Sequence, residues 1–184
     1  MSRRAVFLDR DGTLNVEKEY LHRVEDWEWI PGAIEAIRLL NQAGFVVIVT
    51  TNQSGVARGY YDEQAVRDLH TSVDRWLAAE GARVDGYYYC PHHPHYGDVR
   101  DCDCRKPAPG LLLAAAHEHD IDLANSYVVG DKASDVGAAR AVGAAPILVA
   151  TGYGEAERAK VDAAVPFMPD VLAAVQHIVA KCAP

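Results

Sequence analysis

No stretch of the chain carries the ~20 consecutive apolar residues that a membrane-crossing helix needs, so a helical membrane anchor is not expected. Basic charge is scarce too. The 18 Lys and Arg stand against 26 Asp and Glu, a formal net charge of −8. Phosphate backbones attract basic faces, so nucleic acid is not the expected partner. A small anionic substrate stays open, because a few local cations outweigh distant carboxylates. The N-terminal Met1-Ser2-Arg3-Arg4 is basic, but only four apolar residues follow before Asp9, too few for a secretory signal. The expected location is the cytoplasm, where thiols stay reduced. The four cysteines therefore do not read as a disulfide framework. Repeats, low-complexity tracts and long linkers are missing as well. The 184 residues read as one domain, 1–184, with a monomer expected.

What is present is an alternation of apolar runs and amphipathic segments. Residues 4–8, 45–50, 84–89, 126–131, 145–151 and a short piece near 164–168 read as strands. Helices are expected over 32–43, from Asp62 through Leu77, over 109–119, over 133–142 and from Asp170 to Ala180. Asp62 is a plausible N-cap, and Gly44 and Gly143 stand where helices stop. Strands alternating with helices predict an α/β three-layer sandwich, Rossmann-like, with a mainly parallel sheet covered on both faces.

In such sheets ligands bind beyond the carboxyl ends of the strands. Three polar clusters sit at such ends: Asp9 and Asp11 in DRDGTLN, Thr51-Asn52-Gln53, and Asp131 and Asp135 in GDKASD. Crowded carboxylates repel one another and raise each other's pKa. A hard divalent cation removes that conflict, and Mg²⁺ takes carboxylates, a carbonyl, waters and phosphate. Lys106, the Thr51 hydroxyl and the backbone N–H groups of Asn52 and Gln53 are expected to meet anionic oxygens. Such a shell stabilises a transferring phosphoryl group, with one carboxylate attacking phosphorus and another moving the leaving-group proton.

The segment CPHHPHYGDVRDCDC, 90–104, holds Cys90-x-His92 and Cys102-x-Cys104. Three thiolates and an imidazole are the composition of a closed tetrahedral zinc site. His93 and His95 are spare candidates. Zinc would pin residues 90–107, which have no periodicity of their own, and hold Arg105 and Lys106 in place. His22, His70, His117, His119 and His177 read as surface or satisfied polar residues, Tyr87 to Tyr89 as strand packing, Trp27 and Trp29 as packing of a loop against the sheet, and Cys182 as a free thiol.

DRDGTLN, VTTNQSGVARGYY, CRKP and VVGDKASD resemble, in order, the four motifs of the haloacid dehalogenase superfamily. NQSGVARG, CPHHP and CDCRKP resemble in particular the bacterial heptose-1,7-bisphosphate phosphatases, whose relatives are the histidinol-phosphate phosphatases. The resemblance implies a Mg²⁺-dependent phosphatase without a large cap domain. It removes the 7-phosphate of a heptose bisphosphate for ADP-heptose and lipopolysaccharide core synthesis; histidinol phosphate is the alternative substrate. By it, Asp9 is the nucleophile, Asp11 the general acid and base, and Thr51 and Lys106 hold the phosphoryl oxygens. Asp9, the Asp11 carbonyl and Asp131 ligate Mg²⁺, with Asp135 behind them. Cys90, His92, Cys102 and Cys104 hold structural zinc. With no cap, substrate selection falls to loops: Glu17, Lys18, Glu19 and Tyr20; Asn52, Gln53 and Ser54 with the following Gly55–Tyr60; and Arg105, implied to reach the far end of a phosphorylated sugar.

Overall fold

Every residue of the first strand, β1 (Ala5–Leu8), is buried, as a strand covered on both faces requires. The computed structural model describes residues 2–182. Along β1 the side chains alternate between two apolar layers. Val6 and Leu8 enter one with Ile37, Leu40 and Val175. Ala5 and Phe7 enter the other with Leu112, Ala115 and Ala138. Burying a side chain such as Phe7 or Leu8 contributes roughly 1.5–3 kcal/mol.

The remaining strands are β2 (Val46–Asn52), β3 (Gly86–Cys90), β4 (Tyr127–Gly130), β5 (Ala145–Val149) and β6 (Phe167–Met168). They form one sheet of order β3-β2-β1-β4-β5-β6. All five pairings are parallel, as the apolar runs predict. The helices are α1 (Ala33–Gln42), α2 (Glu63–Ala79), α3 (Gly110–His119), α4 (Ala133–Ala141), the single turn α5 (Gly154–Glu157) and α6 (Val171–Cys182). Helices α1 and α6 share one layer, and α3 and α4 cover the other face.

Local chemistry sets the boundaries. The Asp62 carboxylate accepts from the Ala65 N–H at 2.9 Å and starts α2. Gly44, at φ +77°, takes the left-handed conformation that ends α1 and turns the chain into β2. Near 164–168 the structure differs from the sequence reading. Only Phe167 and Met168 pair with β5, because the Val165 N–H is turned back onto the Asp162 carbonyl and Pro166 has no N–H to give. Trp27 and Trp29 pack against Trp76 of α2 rather than on the sheet alone, with ring centroids 6.1 and 6.4 Å from it.

The chain runs from β1 through β2 to β3 on one side, then returns to place β4 on the other side of β1. That reversal opens a crevice past the carboxyl ends of β1, β2 and β4. Asp9 directly follows β1, Thr51 lies near the end of β2 and Asp131 directly follows β4, all at this edge of the sheet.

Candidate active site

The crevice deepens into a cavity of about 360 Å³. Asp9, Asp11, Thr51, Asn52, Gln53, Ser54, Lys106 and Asp135 line it, together with Glu17, Glu19 and Tyr20 from the loop after β1.

Lys106 is the hub. Its buried ammonium donates to Asp9 Oδ1 at 2.8 Å, Asp135 Oδ1 at 2.6 Å and the Thr50 carbonyl at 2.7 Å. Burial works against its charge, but Asp135 and Asp9 outweigh that and push its pKa above the ordinary lysine value. Burial would raise the Asp9 pKa. The charges of Lys106 and Lys132 and the Lys106 hydrogen bond prevail and hold it below the usual carboxylate range. Asp9 is thus kept ionised, as a nucleophile must be.

Asp131 is in the opposite condition. It is 0% exposed, and burial, then the Asp9 charge, push its pKa up to about 8. Burial and Asp9 likewise raise Asp135 to about 6. One Asp131 oxygen accepts from the Tyr153 N–H at 2.8 Å. The other is a buried oxygen with no donor among the described residues. Oxygens of Asp9, Asp131 and Asp135 lie within 4.8 Å of one another. A buried oxygen lacking a donor, beside a second carboxylate, fits a hard cation such as Mg²⁺. Asp135 fits less well as a ligand, because the Lys132 N–H holds its second oxygen at 3.1 Å while Lys106 holds the first. Backbone closes tightly around Asp131: a Cβ on Gly12 or on Gly152 would run into its carboxylate.

Asp11 sits higher on the wall. Its Oδ2 accepts from Gln53 Nε2 at 2.9 Å and its Oδ1 from Asn15 Nδ2 at 3.0 Å. Gln53 Nε2 also reaches the Thr51 hydroxyl at 2.8 Å, and Tyr61 donates to Gln53 Oε1 at 2.8 Å. Asn52 turns its side chain to the Lys106 backbone, accepting from its N–H at 3.0 Å and donating to its carbonyl at 3.1 Å.

Three sequence expectations need correction. The Gln53 N–H is taken by the Cys90 carbonyl at 2.8 Å, so it cannot meet a phosphate oxygen; the Gln53 side chain faces the cavity instead. Lys18 points away, to Glu28 at 2.9 Å and the Asp26 carbonyl at 3.0 Å. Arg105 does not line the cavity: its guanidinium donates to the His92 carbonyl at 3.2 Å. The sequence reading assigns no site role to Tyr61, Lys132, Ser134 and Tyr153, which line the cavity, or to Arg10. Lys132 lines the cavity, 3.4 Å from Glu17 and 4.8 Å over the Tyr153 ring. Arg10, only 1% exposed, lies behind Asp11. Both stand beside motif carboxylates, in GDK and DRD, and that adjacency was the available signal.

Cys90, His92, Cys102 and Cys104 converge as their spacing predicts. Cys90 Sγ lies 3.7 Å from Cys102 Sγ and 3.0 Å from Cys104 Sγ, and His92 Nδ1 lies 3.5 Å from Cys104 Sγ. Zinc–sulfur bonds of ~2.3 Å place tetrahedral sulfurs ~3.8 Å apart. Burial works to raise the Cys102 pKa, yet hydrogen bonds led by His92 bring it down to about 7, whereas burial pushes the Cys90 and Cys104 thiols up in the absence of a metal. His93 and His95 meet edge to face outside this group, with centroids 5.7 Å apart.

A parallel sheet with two carboxylates after its first strand, a buried lysine and an aspartate pair after the fourth defines a scaffold for phosphoryl transfer. The profile of the HAD-hydrolase-like family matches residues 103–175. The chain is 47% identical over 153 residues to the D-glycero-β-D-manno-heptose-1,7-bisphosphate 7-phosphatase of Yersinia pestis, covering 80% of this chain and 81% of that one. It is 48% identical over 153 residues to the Escherichia coli K12 enzyme of the same name, covering 80% of each. The crystal structure of the D,D-heptose 1,7-bisphosphate phosphatase from B. bronchiseptica, complexed with magnesium and phosphate, superposes with a TM-score of 0.89 at 35% identity, over 97% of this chain and 99% of that one. The chain belongs to the D-glycero-D-manno-heptose-1,7-bisphosphate 7-phosphatase family of the haloacid dehalogenase superfamily.

Proposed function

We propose that this chain hydrolyses the 7-phosphate of D-glycero-β-D-manno-heptose 1,7-bisphosphate through an aspartyl-phosphate. The product, heptose 1-phosphate, would feed ADP-heptose and lipopolysaccharide core synthesis. One observation carries the reading: Asp9 is kept ionised in the cavity floor, 2.8 Å from Lys106, with Asp11 on the wall above it.

In this reading Asp9 attacks phosphorus. Lys106 and the Thr51 hydroxyl bind the oxygens on which negative charge gathers. Asp11 protonates the leaving alkoxide, then takes a proton from the water that cleaves the aspartyl-phosphate. Asp135 holds Lys106 in position. Asp9, the Asp11 carbonyl and Asp131 would hold Mg²⁺, which, when bound, offsets the charge of the carboxylates and of the phosphoryl group. Lys132, Glu17, Glu19 and Tyr20 shape the outer cavity that selects the sugar. The Cys₃His set would hold one structural zinc within residues 90–107 of a single phosphatase domain, 1–184; four protein ligands would leave such a zinc no open position for catalysis. The enzyme works as a cytoplasmic monomer on a small phosphorylated sugar. No described helix is long and apolar enough to cross a membrane.

The test is phosphate release in Mg²⁺ from heptose 1,7-bisphosphate and from histidinol phosphate. kcat/KM is expected to be far larger for the bisphosphate. A value for histidinol phosphate that equals or exceeds it overturns the substrate assignment.

A further inference from the structure

Arg10 is a charged side chain buried where no substrate reaches it, and nothing in the chemistry above uses it. Its guanidinium nitrogens have three kinds of acceptor. Nε and Nη2 donate to Asp11 Oδ1 at 3.3 and 3.1 Å, and Nη2 lies 3.0 Å from Asp11 Oδ2. Nη2 also donates to the Leu21 carbonyl at 2.8 Å. Nη1 faces His70 Nε2 at 3.4 Å.

Each acceptor belongs to a different part of the molecule. Asp11 is the proton-transfer residue of the proposed reaction. Leu21 closes the loop whose Glu17, Glu19 and Tyr20 line the cavity. That loop carries two consecutive non-glycine residues in the left-handed region, Glu19 at φ +46° and Tyr20 at φ +49°. Such backbone persists only when its surroundings fix it. His70 belongs to α2. Its ring stacks on Tyr87 of β3 at 4.4 Å and 16°, and Tyr87 donates to Asp74 at 2.7 Å. Burial and the neighbouring Arg10 keep His70 neutral, with its pKa down to about 3, so Nε2 can serve as an acceptor.

We propose that Arg10 is a positioning residue: anchored on His70, its guanidinium fixes the Asp11 carboxylate and the substrate-selecting loop against each other. A planar fork can serve several acceptors in one plane, whereas a lysine is a point charge on a flexible stem. The assignment rests on the proton-transfer role of Asp11, and the experiment separates the two.

The experiment uses Arg10→Lys, with Asp11→Asn as the reference. The readout is kcat/KM for a series of simple alkyl and aryl phosphates, which reports formation of the phosphoenzyme. A poor leaving group, such as an alkoxide, needs the proton from Asp11; a nitrophenolate does not. General acid–base catalysis is typically worth ~10²–10⁴-fold. Arg10→Lys is expected to lose part of that, lowering the alkyl-to-aryl ratio by about tenfold. A purely structural role would lower both substrate classes together and leave the ratio unchanged, and that result overturns the proposal. If Asp11→Asn itself leaves the ratio unchanged, the role of Asp11 falls and this inference with it. If Asp11→Asn shifts the ratio and Arg10→Lys does not, only the inference falls. Should Arg10→Lys not fold, His70→Leu, which removes the anchor but leaves the fork on Asp11, must lower the ratio at least threefold, and no change overturns the proposal.

Discussion

Two clusters in this protein gather groups that ordinarily repel one another, and they do so by different means. Asp9 and Asp131 sit just beyond strand ends and Asp135 in the first turn of α4, held by a sheet whose core is apolar on both sides. Their positions follow from hydrophobic burial, and the electrostatic cost appears as raised pKa values at Asp131 and Asp135. Cys90, His92, Cys102 and Cys104 are spread over a segment with little regular structure, and only Cys90 is fully buried. In the proposed reading the first cluster is a scaffold that a cation would relieve, and the second is a loop that a cation would shape. Metal removal should therefore leave the acidic site in place and loosen the thiolate site.

The largest effect expected on either cluster is chemical. Asp9→Asn should lower kcat by more than ~10³-fold, since an amide is a very poor nucleophile and nucleophile removal elsewhere costs more than that. Its structure should persist, because Asp9 contributes charge rather than packing. Retention of a tenth of the activity would remove Asp9 from the nucleophile's role.

Next comes the thiolate loop. The purified protein should carry close to one zinc per chain by elemental analysis. Cys102→Ser should raise protease sensitivity within residues 90–107, while far-UV dichroism of the sheet is kept. Full activity in zinc-free protein would erase the contrast between the clusters.

A smaller effect tests the acidic cluster from the other side. The carboxyl of Asp131 has its pKa raised in the metal-free fold, so it favours folding when protonated. That stability is present below pH ~3.9, the unfolded carboxylate value, and is lost as pH rises toward about 8. Metal-free Asp131→Asn should then melt at or above the wild-type temperature at pH 8, and its Mg²⁺-dependent rise in Tm should vanish. A destabilised variant that still responds to Mg²⁺ would contradict this.

The smallest effect lies behind both. His70 has a depressed folded pKa, so the unfolded chain binds its proton more readily, and stability falls as pH drops below ~6.5. Between pH 7.5 and 5.5 the loss attributable to His70 is about 1.4 kcal/mol. Urea midpoints of wild type and His70→Gln at the two pH values measure it; parallel curves would mean His70 is not buried neutral.

The strands and the carboxylates were legible because burial and strand ends leave local marks. FVVIVT cannot be other than a buried run, and DRDGT closes such a run with charge. The four zinc-type ligands were legible from residue type and spacing. Long side chains in loops were not. Whether Lys18 or Lys132 enters the cavity depends on contacts with Glu28 and Glu17, whose positions only the completed fold defines. The partner of the Gln53 N–H is not local either, because a β-ladder continues one residue past the strand, onto the Cys90 carbonyl. Nor are the partners of Arg10, because a sequence does not display the inward side of a turn.

The Asn52 side chain behaves as a spare peptide unit. It offers Lys106 an N–H and a carbonyl oxygen, 3.1 and 3.0 Å away, in the two-point pattern of a neighbouring strand. The lysine is thereby indexed to the end of β2 rather than to the length of chain that precedes it. Exchanging residues 97–101, none of which lines the cavity, is in consequence expected to leave the ammonium where it is. Asn52→Asp, which changes a single heavy atom, would turn the splice into a repulsion by setting a carboxylate oxygen against the Lys106 carbonyl.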